Sequence, residues 1–307
     1  MRMTAGSAGK LAGPHKYFIT DQPPLPLCTI RRIQLTPPDR GWTPGWVSHL
    51  GDDAVDQKPG DRQRKEVAAA WAVHTFTASG IVLGFLALVA ILDGDKIAVF
   101  IWLGLALFVD GIDGTLARRA KVTELTPQFD GATLDNVIDF FNYVAVPAMM
   151  IYWFDFVPEG WATVAAAAIM AVSCYTFANM GMKSHDYYFV GFPALWNLVV
   201  LYFHVLQTGP WFNLTVIAIC CVLTFVPWKY VHPFRVRDWR KVTVPMTVLW
   251  AATSFRLVLI HPDDFKAREA SPLIFWLWVA ASVYFATLSI WRSLKPEAER
   301  EAEADAE

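Results

Sequence analysis

The chain from Val109 to Phe141 reads VDGIDGTLARRAKVTELTPQFDGATLDNVIDFF and joins two strongly hydrophobic segments. Acidic residues lie where those segments meet the polar connection between them. An ionised group costs roughly 2.5 to 3.5 kcal/mol at the centre of a membrane-spanning helix on insertion scales. Acidic residues at such a depth therefore indicate a functional site within a membrane protein.

The composition around this stretch is also that of a membrane protein. Of the 307 residues, 55% are hydrophobic and 18% are charged, whereas soluble proteins carry about 25% charged residues. The 14 tryptophans fit aromatic belts at membrane interfaces. A formal net charge of -2 provides no basic excess for nucleic acid, so no nucleic-acid partner is expected. The cysteines show no CxxC spacing, so no zinc site is expected.

Hydrophobic segments predict the fold, because about 20 apolar residues are enough to span a bilayer. Such segments must be helical, since backbone groups in hydrocarbon have no water to bond. We predict an all-α polytopic membrane helical bundle of about eight transmembrane helices within a membrane domain of residues 66–294. The spans are predicted at roughly 68–92, 96–116, 131–154, 160–182, 189–208, 211–230, 241–260 and 272–292. The short connection at Gly209 and Pro210 predicts a helical hairpin.

The two ends of the chain are polar. Residues 1–65 mix Pro, Gly, Asp and Arg without periodicity and are predicted to be a mostly disordered cytoplasmic extension without a cleavable signal peptide. Residues 295–307 are predicted to be an acidic cytoplasmic tail. Basic residues gather before the first span and in the connections after the second, fourth and sixth. By the positive-inside rule, both termini are expected in the cytoplasm.

Four aspartates in the central stretch are spaced to face one another. At about 100° per residue, Asp110 and Asp113 lie on one face of a helix, as do Asp135 and Asp139 on the next. Four carboxylates around one cavity would repel one another and partly protonate unless cations separate them. Oxygen ligands of this kind suit Mn²⁺ or Mg²⁺. Paired hard cations in turn suit displacement at phosphorus.

Small and basic residues beside the aspartates predict a pocket for an anionic substrate. Gly111, Gly114 and Gly131 would allow a bulky ligand to approach the backbone. Arg118 follows Gly114 by one helical turn and could bind a diphosphate with its forked guanidinium group.

The combined pattern resembles the signature of the CDP-alcohol phosphotransferases. It runs Asp110-x-x-Asp113-Gly114-x-x-Ala117-Arg118, then twelve residues, then Gly131-x-x-x-Asp135-x-x-x-Asp139. The gap of twelve residues is longer than in most members of that family. Together with Gly111 and the number of predicted spans, it is similar to the bacterial phosphatidylcholine synthase branch, which condenses choline with CDP-diacylglycerol and releases CMP.

The resemblance implies a role for each matched residue. Mn²⁺ or Mg²⁺ would be held by Asp110, Asp113, Asp135 and Asp139, and Asp139 would also take the proton of the alcohol. The CDP pocket would be lined by Asp110, Gly114, Ala117, Arg118 and Gly131. The choline hydroxyl would attack the phosphorus in line, without a covalent enzyme intermediate. The implied location is the bacterial inner (cytoplasmic) membrane, among membrane lipids, and a homodimer stays open because the sequence does not define the oligomeric state.

Choline recognition would require aromatic rings. A quaternary ammonium donates no hydrogen bonds and binds ring faces, each contributing roughly 0.5 to 2 kcal/mol. The candidates on the predicted cytoplasmic side are Tyr187, Tyr188, Phe192 and Trp196, with Phe140, Phe141 and Tyr143 as further rings. For each ring, membership of an interfacial aromatic belt is the alternative.

Three alternatives accompany this prediction. The same chemistry could use serine, inositol or glycerol phosphate as acceptor, which would require polar partners rather than rings. A cation-coupled membrane transporter would explain intramembrane acids, but it predicts broken helices in both halves of the chain. A purely structural role at helix N-termini would fit Asp130, but it does not explain Asp139.

Overall fold

The computed structural model describes residues 60–179, 189–230, 240–260 and 267–294. The acidic tail and residues 1–59 of the predicted extension lie outside these ranges, as do Tyr187 and Tyr188. The helices are α1 (Asp61–Leu92), α2 (Lys96–Arg119), α3 (Val122–Leu125), α4 (Gly131–Phe140), α5 (Val146–Trp153), α6 (Ala162–Ala178), α7 (Trp196–Leu206), α8 (Pro210–Leu223), α9 (Arg240–Ile260), α10 (Ala267–Ala270) and α11 (Pro272–Leu294). A π-helical turn, Phe141–Ala145, joins α4 to α5.

This architecture confirms the prediction of an all-α polytopic membrane protein. Within the described ranges, the helical segments long and apolar enough to cross a membrane are Asp61–Leu92, Lys96–Arg119, Lys241–Ile260 and Pro272–Trp291. The third predicted span corresponds to the continuous run of α4, the π turn and α5. Helix α1 begins at Asp61, so the last residues of the predicted extension are helical.

Helices α7 and α8 are shorter than the spans predicted for them. Their 11 and 14 residues measure about 17 and 21 Å along the axis, less than the roughly 30 Å of a bilayer core. Helix α7 begins at Trp196, after Pro193, and α8 ends at Leu223, before Pro227. Neither helix extends through these prolines, because proline lacks a backbone N–H and restricts the residue before it.

These extended segments pair with each other. Strand β1 (Phe189–Val190) and strand β2 (Lys229–Tyr230) form a two-residue antiparallel ladder, and the backbone N–H of Gly191 donates to the carbonyl of Trp228 at 2.8 Å. The antiparallel pairing agrees with the predicted reversal of the chain at Gly209 and Pro210.

Two glycines on α1 allow the π turn to approach its backbone. The side-chain amide of Asn142, which is 3% exposed, donates to the carbonyl of Gly80 at 3.1 Å. A Cβ at Gly80 would lie 2.9 Å from Cγ2 of Ile138, and one at Gly84 would collide with Asn142 and lie 2.7 Å from the Phe141 ring. Such close approach through small residues is a common basis of helix packing in membranes. Gly80 and Gly84 therefore form a notch for the π turn.

Replacing Gly84 with alanine is expected to destabilise the protein. The new methyl group would overlap Asn142 and Phe141, and overpacking of this kind costs about 1 to 3 kcal/mol. Thermal unfolding of the purified protein in detergent should show a lower midpoint. Gly104→Ala is the matched control, because the added Cβ would have no atom within 4 Å apart from its chain neighbours and its own helix backbone. Equal midpoints for Gly84→Ala and the wild type would contradict the notch.

Candidate functional site

Three carboxylates converge where α2 meets α4. One ligand oxygen from each of Asp110, Asp135 and Asp139 lies within 4.8 Å of the others, and all three residues are partly buried. Helix α2 supplies Asp110, and α4 supplies the other two. The spacing of Asp135 and Asp139 places both on one face of α4, as the sequence predicted.

Asp113 lies beside this group rather than within it. It follows Asp110 by one turn on α2 and is 6% exposed. Its charge interacts with that of Asp139, as do the charges of Asp110 and Asp135. Among the described residues, the structure thus brings three of the predicted metal ligands together closely and places the fourth next to them.

The arrangement of the three oxygens fits a small divalent cation. Oxygens on opposite sides of one Mg²⁺ are about 4.2 Å apart, because each bond is about 2.1 Å long. The three oxygens lie within 4.8 Å of one another, so they would need to close by no more than about 0.6 Å to bind one ion with bonds of that length. The donor set is all oxygen, which suits Mg²⁺ and Mn²⁺.

Tyr143 makes a contact that the sequence analysis missed. It was predicted only as one of several rings available to choline, yet its hydroxyl donates to Oδ2 of Asp110 at 2.6 Å. The side chain is 7% exposed and lies in the π turn directly after α4. A sequence signal was present, because Tyr143 follows Asp139 by the same four residues that separate Asp139 from Asp135.

The N-terminus of α4 is fixed by Asp130. Its Oδ1 accepts from the backbone N–H groups of Ala132 at 3.0 Å and Thr133 at 3.1 Å, and the Thr133 hydroxyl donates to Oδ2 at 2.6 Å. The hydrogen bond from that hydroxyl, followed by those from the backbone, holds the pKa of the exposed Asp130 carboxyl below its usual value. This N-cap explains why α4 begins at Gly131.

The residues predicted to line the CDP pocket lie around the same junction. Gly114, Ala117 and Arg118 occupy the last turns of α2, and Gly131 is the first residue of α4. The exposed Arg118 guanidinium donates to the Thr115 hydroxyl at 3.1 Å. A Cβ on Gly114 would lie 3.5 Å from Nη1 of Arg118. The arginine therefore folds back along α2 towards Gly114.

His74 is a buried residue of α1 that the sequence analysis did not consider. Its Nε2 lies 3.0 Å from the Thr126 hydroxyl, and that hydroxyl donates its single proton to the carbonyl of Val122 at 2.9 Å. His74 Nε2 must therefore carry a proton and donate to Thr126. A histidine within a hydrophobic span was the signal that could have identified it.

The histidine holds the connection between α2 and α4 against α1. The Phe129 ring lies 4.4 Å from the His74 ring, and Trp71 contacts both rings at 5.5 and 5.4 Å. A Cβ on Gly131 would lie 3.1 Å from Cε1 of His74. The absence of a side chain at Gly131 thus makes room for the His74 ring.

Of the four rings predicted between Tyr187 and Trp196, Phe192 and Trp196 are described, and both lie in the core. Trp196 is 0% exposed, and its indole N–H donates to the Ser173 hydroxyl at 2.8 Å. Phe192 is also buried and packs edge-on against Trp196 at 5.0 Å. Tyr187 and Tyr188 lie outside the described residues. A role for these four residues in binding choline stays a prediction.

A family model and several curated proteins match the chain. The model describes a CDP-alcohol phosphatidyltransferase and matches residues 72–228. A phosphatidylcholine synthase of Pseudomonas aeruginosa is 45% identical over 228 residues, covering 74% of this chain and 93% of that protein. One of Mesorhizobium japonicum is 44% identical over 195 residues, covering 62% and 73%. One of Borreliella burgdorferi is 37% identical over 180 residues, covering 59% and 77%.

Replacing Thr126 with valine is expected to destabilise the connection between α2 and α4. The change keeps the shape of the side chain but leaves the buried N–H of His74 without its acceptor, which costs about 1 to 3 kcal/mol. Thermal unfolding in detergent should show a lower midpoint, and a protease should cleave residues 120–130 faster. Thr123→Val is the control, because Thr123 is exposed on α3, directly before Thr126. Equal behaviour of the two variants would refute the role given to the His74–Thr126 bond.

Proposed function

The chain belongs to the CDP-alcohol phosphatidyltransferase family, and from this premise we propose that it transfers the phosphatidyl group of CDP-diacylglycerol to choline and releases CMP. The observation that supports the chemistry is the convergence of Asp110, Asp135 and Asp139. The choice of choline is supported by relatives named phosphatidylcholine synthase. Membership of a transferase family removes the reason to consider a transporter.

The proposed metal ligands are Asp110, Asp135 and Asp139, with Asp113 beside them. Bound Mn²⁺ or Mg²⁺ would neutralise the negative charge that develops on the phosphoryl oxygens in the transition state. Helix α4, which carries Asp135 and Asp139, is fixed at its start by the Asp130 cap and after its end by the contact of Asn142 with α1.

Asp139 is the proposed base. Asp139 lies one turn beyond Asp135 on α4 and belongs to the group of converging oxygens, and a carboxylate within reach of the substrate hydroxyl is suited to accept its proton. The choline hydroxyl would give its proton to Asp139 as its oxygen bonds to the phosphorus that carries the diacylglycerol. The bond from that phosphorus to the bridging oxygen of the diphosphate would break, and CMP would leave with that oxygen.

The nucleotide is proposed to bind along the ends of α2 and α4. Gly114, Ala117 and Gly131 would allow the diphosphate to approach the backbone, and Arg118 would pair with it. The exposure of Arg118, together with its single hydrogen bond to Thr115 among those described, supports this role, because its guanidinium group can turn towards a phosphate at little cost. Choline would contact rings of the segment that contains Tyr187, Tyr188, Phe192 and Trp196.

The proposed setting is a bacterial inner membrane with both termini in the cytoplasm. The positive-inside distribution of Lys and Arg supports this orientation. It places the ends of α2 and α4 at the cytoplasmic face, where a nucleotide-linked substrate is available. CDP-diacylglycerol would reach the site from the lipid, and a homodimer would be compatible with this arrangement.

Neutralising the proposed metal ligands should abolish turnover without unfolding the protein. Asp139→Asn and Asp135→Asn are each expected to lower CMP release at least about 100-fold, because loss of a positioned base or ligand removes stabilisation of the transition state. Asp130→Asn is the matched control, because Asn also serves as an N-cap and Asp130 is exposed on the same helix end. Unfolding midpoints confirm that each variant is folded. Full activity of both Asp139→Asn and Asp135→Asn would refute the proposed mechanism.

The acceptor and the metal can be tested together with purified protein. Given CDP-diacylglycerol and choline, serine, inositol or glycerol phosphate in separate reactions, we expect CMP release with choline. A chelator should stop the reaction, and Mn²⁺ should restore it. CMP release with serine but not choline would refute choline as the acceptor while keeping the chemistry. Activity that survives complete chelation would refute the metal site.

A further inference from the structure

Tyr143 connects the two helices that carry the converging carboxylates. Its hydroxyl donates to Oδ2 of Asp110 on α2, while its backbone continues the chain from Asp139 on α4. The distance of 2.6 Å lies within the range of about 2.5 to 2.7 Å found for hydroxyl groups that bond a carboxylate ion. Bonds of that kind are roughly twice as strong as neutral ones. The Tyr143 hydroxyl, which is not one of the three converging carboxylate oxygens, therefore restrains the Asp110 side chain.

Consecutive side chains of the π turn form hydrogen bonds to different helices. Asn142 donates to the backbone of α1 at Gly80, and the next residue, Tyr143, donates to Asp110 on α2. Asn142, Tyr143 and Val144 are all buried, so the turn is enclosed by the bundle rather than facing lipid. Single π turns inside α-helices are rare and occur frequently at functional sites. Here the turn is anchored on one side by the glycine notch and on the other by a carboxylate of the site.

We propose that Tyr143 is a positioning residue that holds the Asp110 carboxylate in the orientation needed to bind a divalent cation. The inference rests on the metal site of the proposed function. A hydrogen bond to Oδ2 restricts rotation of the carboxyl group, so the direction of Oδ1 is also set. Groups that bond a metal ligand in this way orient the ligand, and their loss typically lowers metal affinity about 10-fold to 100-fold.

The direct test compares Mn²⁺ binding by the wild type and Tyr143→Phe. Mn²⁺ is titrated into purified protein in detergent without substrate, and free Mn²⁺ is followed by its electron paramagnetic resonance signal. The variant is expected to bind Mn²⁺ about 10-fold more weakly. The Mn²⁺ concentration that gives half-maximal CMP release should rise by a similar factor, with the KM for choline unchanged. An unchanged Mn²⁺ affinity would overturn the inference.

Tyr202→Phe separates positioning from packing. The Tyr202 hydroxyl is also largely enclosed and donates to Ser282 at 2.7 Å, while accepting from the Trp250 indole at 3.1 Å. Its removal should lower the unfolding midpoint but leave Mn²⁺ affinity as in the wild type. If Tyr143→Phe lowered only the unfolding midpoint in the same way, its role would be structural and the inference would fail.

A double-mutant cycle shows whether the effect passes through Asp110. In an Asp110→Asn background, Tyr143→Phe should cause little further loss of Mn²⁺ affinity, because the carboxylate that it orients is gone. An equal loss in both backgrounds would overturn the inference, even if other features of the variant changed. The failure of the underlying function is distinguishable: it would appear as a wild-type protein that neither binds Mn²⁺ nor releases CMP.

Discussion

Mutual repulsion between Asp110, Asp135 and Asp139 is the constraint on which the arrangement of the helices depends. Two unit charges about 4 Å apart repel by about 4 kcal/mol at an effective dielectric constant near 20. The bundle must hold α2 and α4 together against this force. The hydrogen bond from Tyr143 to Asp110 and the packing of the π turn against α1 oppose this repulsion. A cation among the oxygens would replace this repulsion with attraction, so its binding would also stabilise the folded protein.

The acidic site could be predicted from the sequence because its signals are local. The cost of a charge in lipid and the period of a helix both act within one or two turns, so Asp135 and Asp139 could be placed on a common face from their spacing. Helices α7 and α8 are shorter than the predicted spans, because apolar content alone extends a span through Pro193 and Pro227, where proline disfavours a helix. Those prolines were visible in the sequence and could have shortened both predictions.

Other features depend on contacts that no local pattern contains. His74 and Thr126 are 52 residues apart, and the bond between them depends on how α1 packs beside the connection from α2 to α4. The π turn likewise follows from the need to place Asn142 against α1 while Tyr143 reaches α2. Each residue type alone is compatible with an ordinary helix. Only the packed bundle determines which way these side chains point.

The twelve residues between Arg118 and Gly131 have a structural role in these contacts. The connection is long enough to form α3 and to bring Thr126 and Phe129 onto His74. The ends of α2 and α4 are thereby fixed to a third helix, which keeps Arg118 and Gly131 in a defined relation. Displacement at the phosphorus is the same for every alcohol, so the aspartates alone cannot select the acceptor. Selectivity must come from residues that contact the alcohol beyond its hydroxyl, and these can vary while the junction of α2 and α4 is kept.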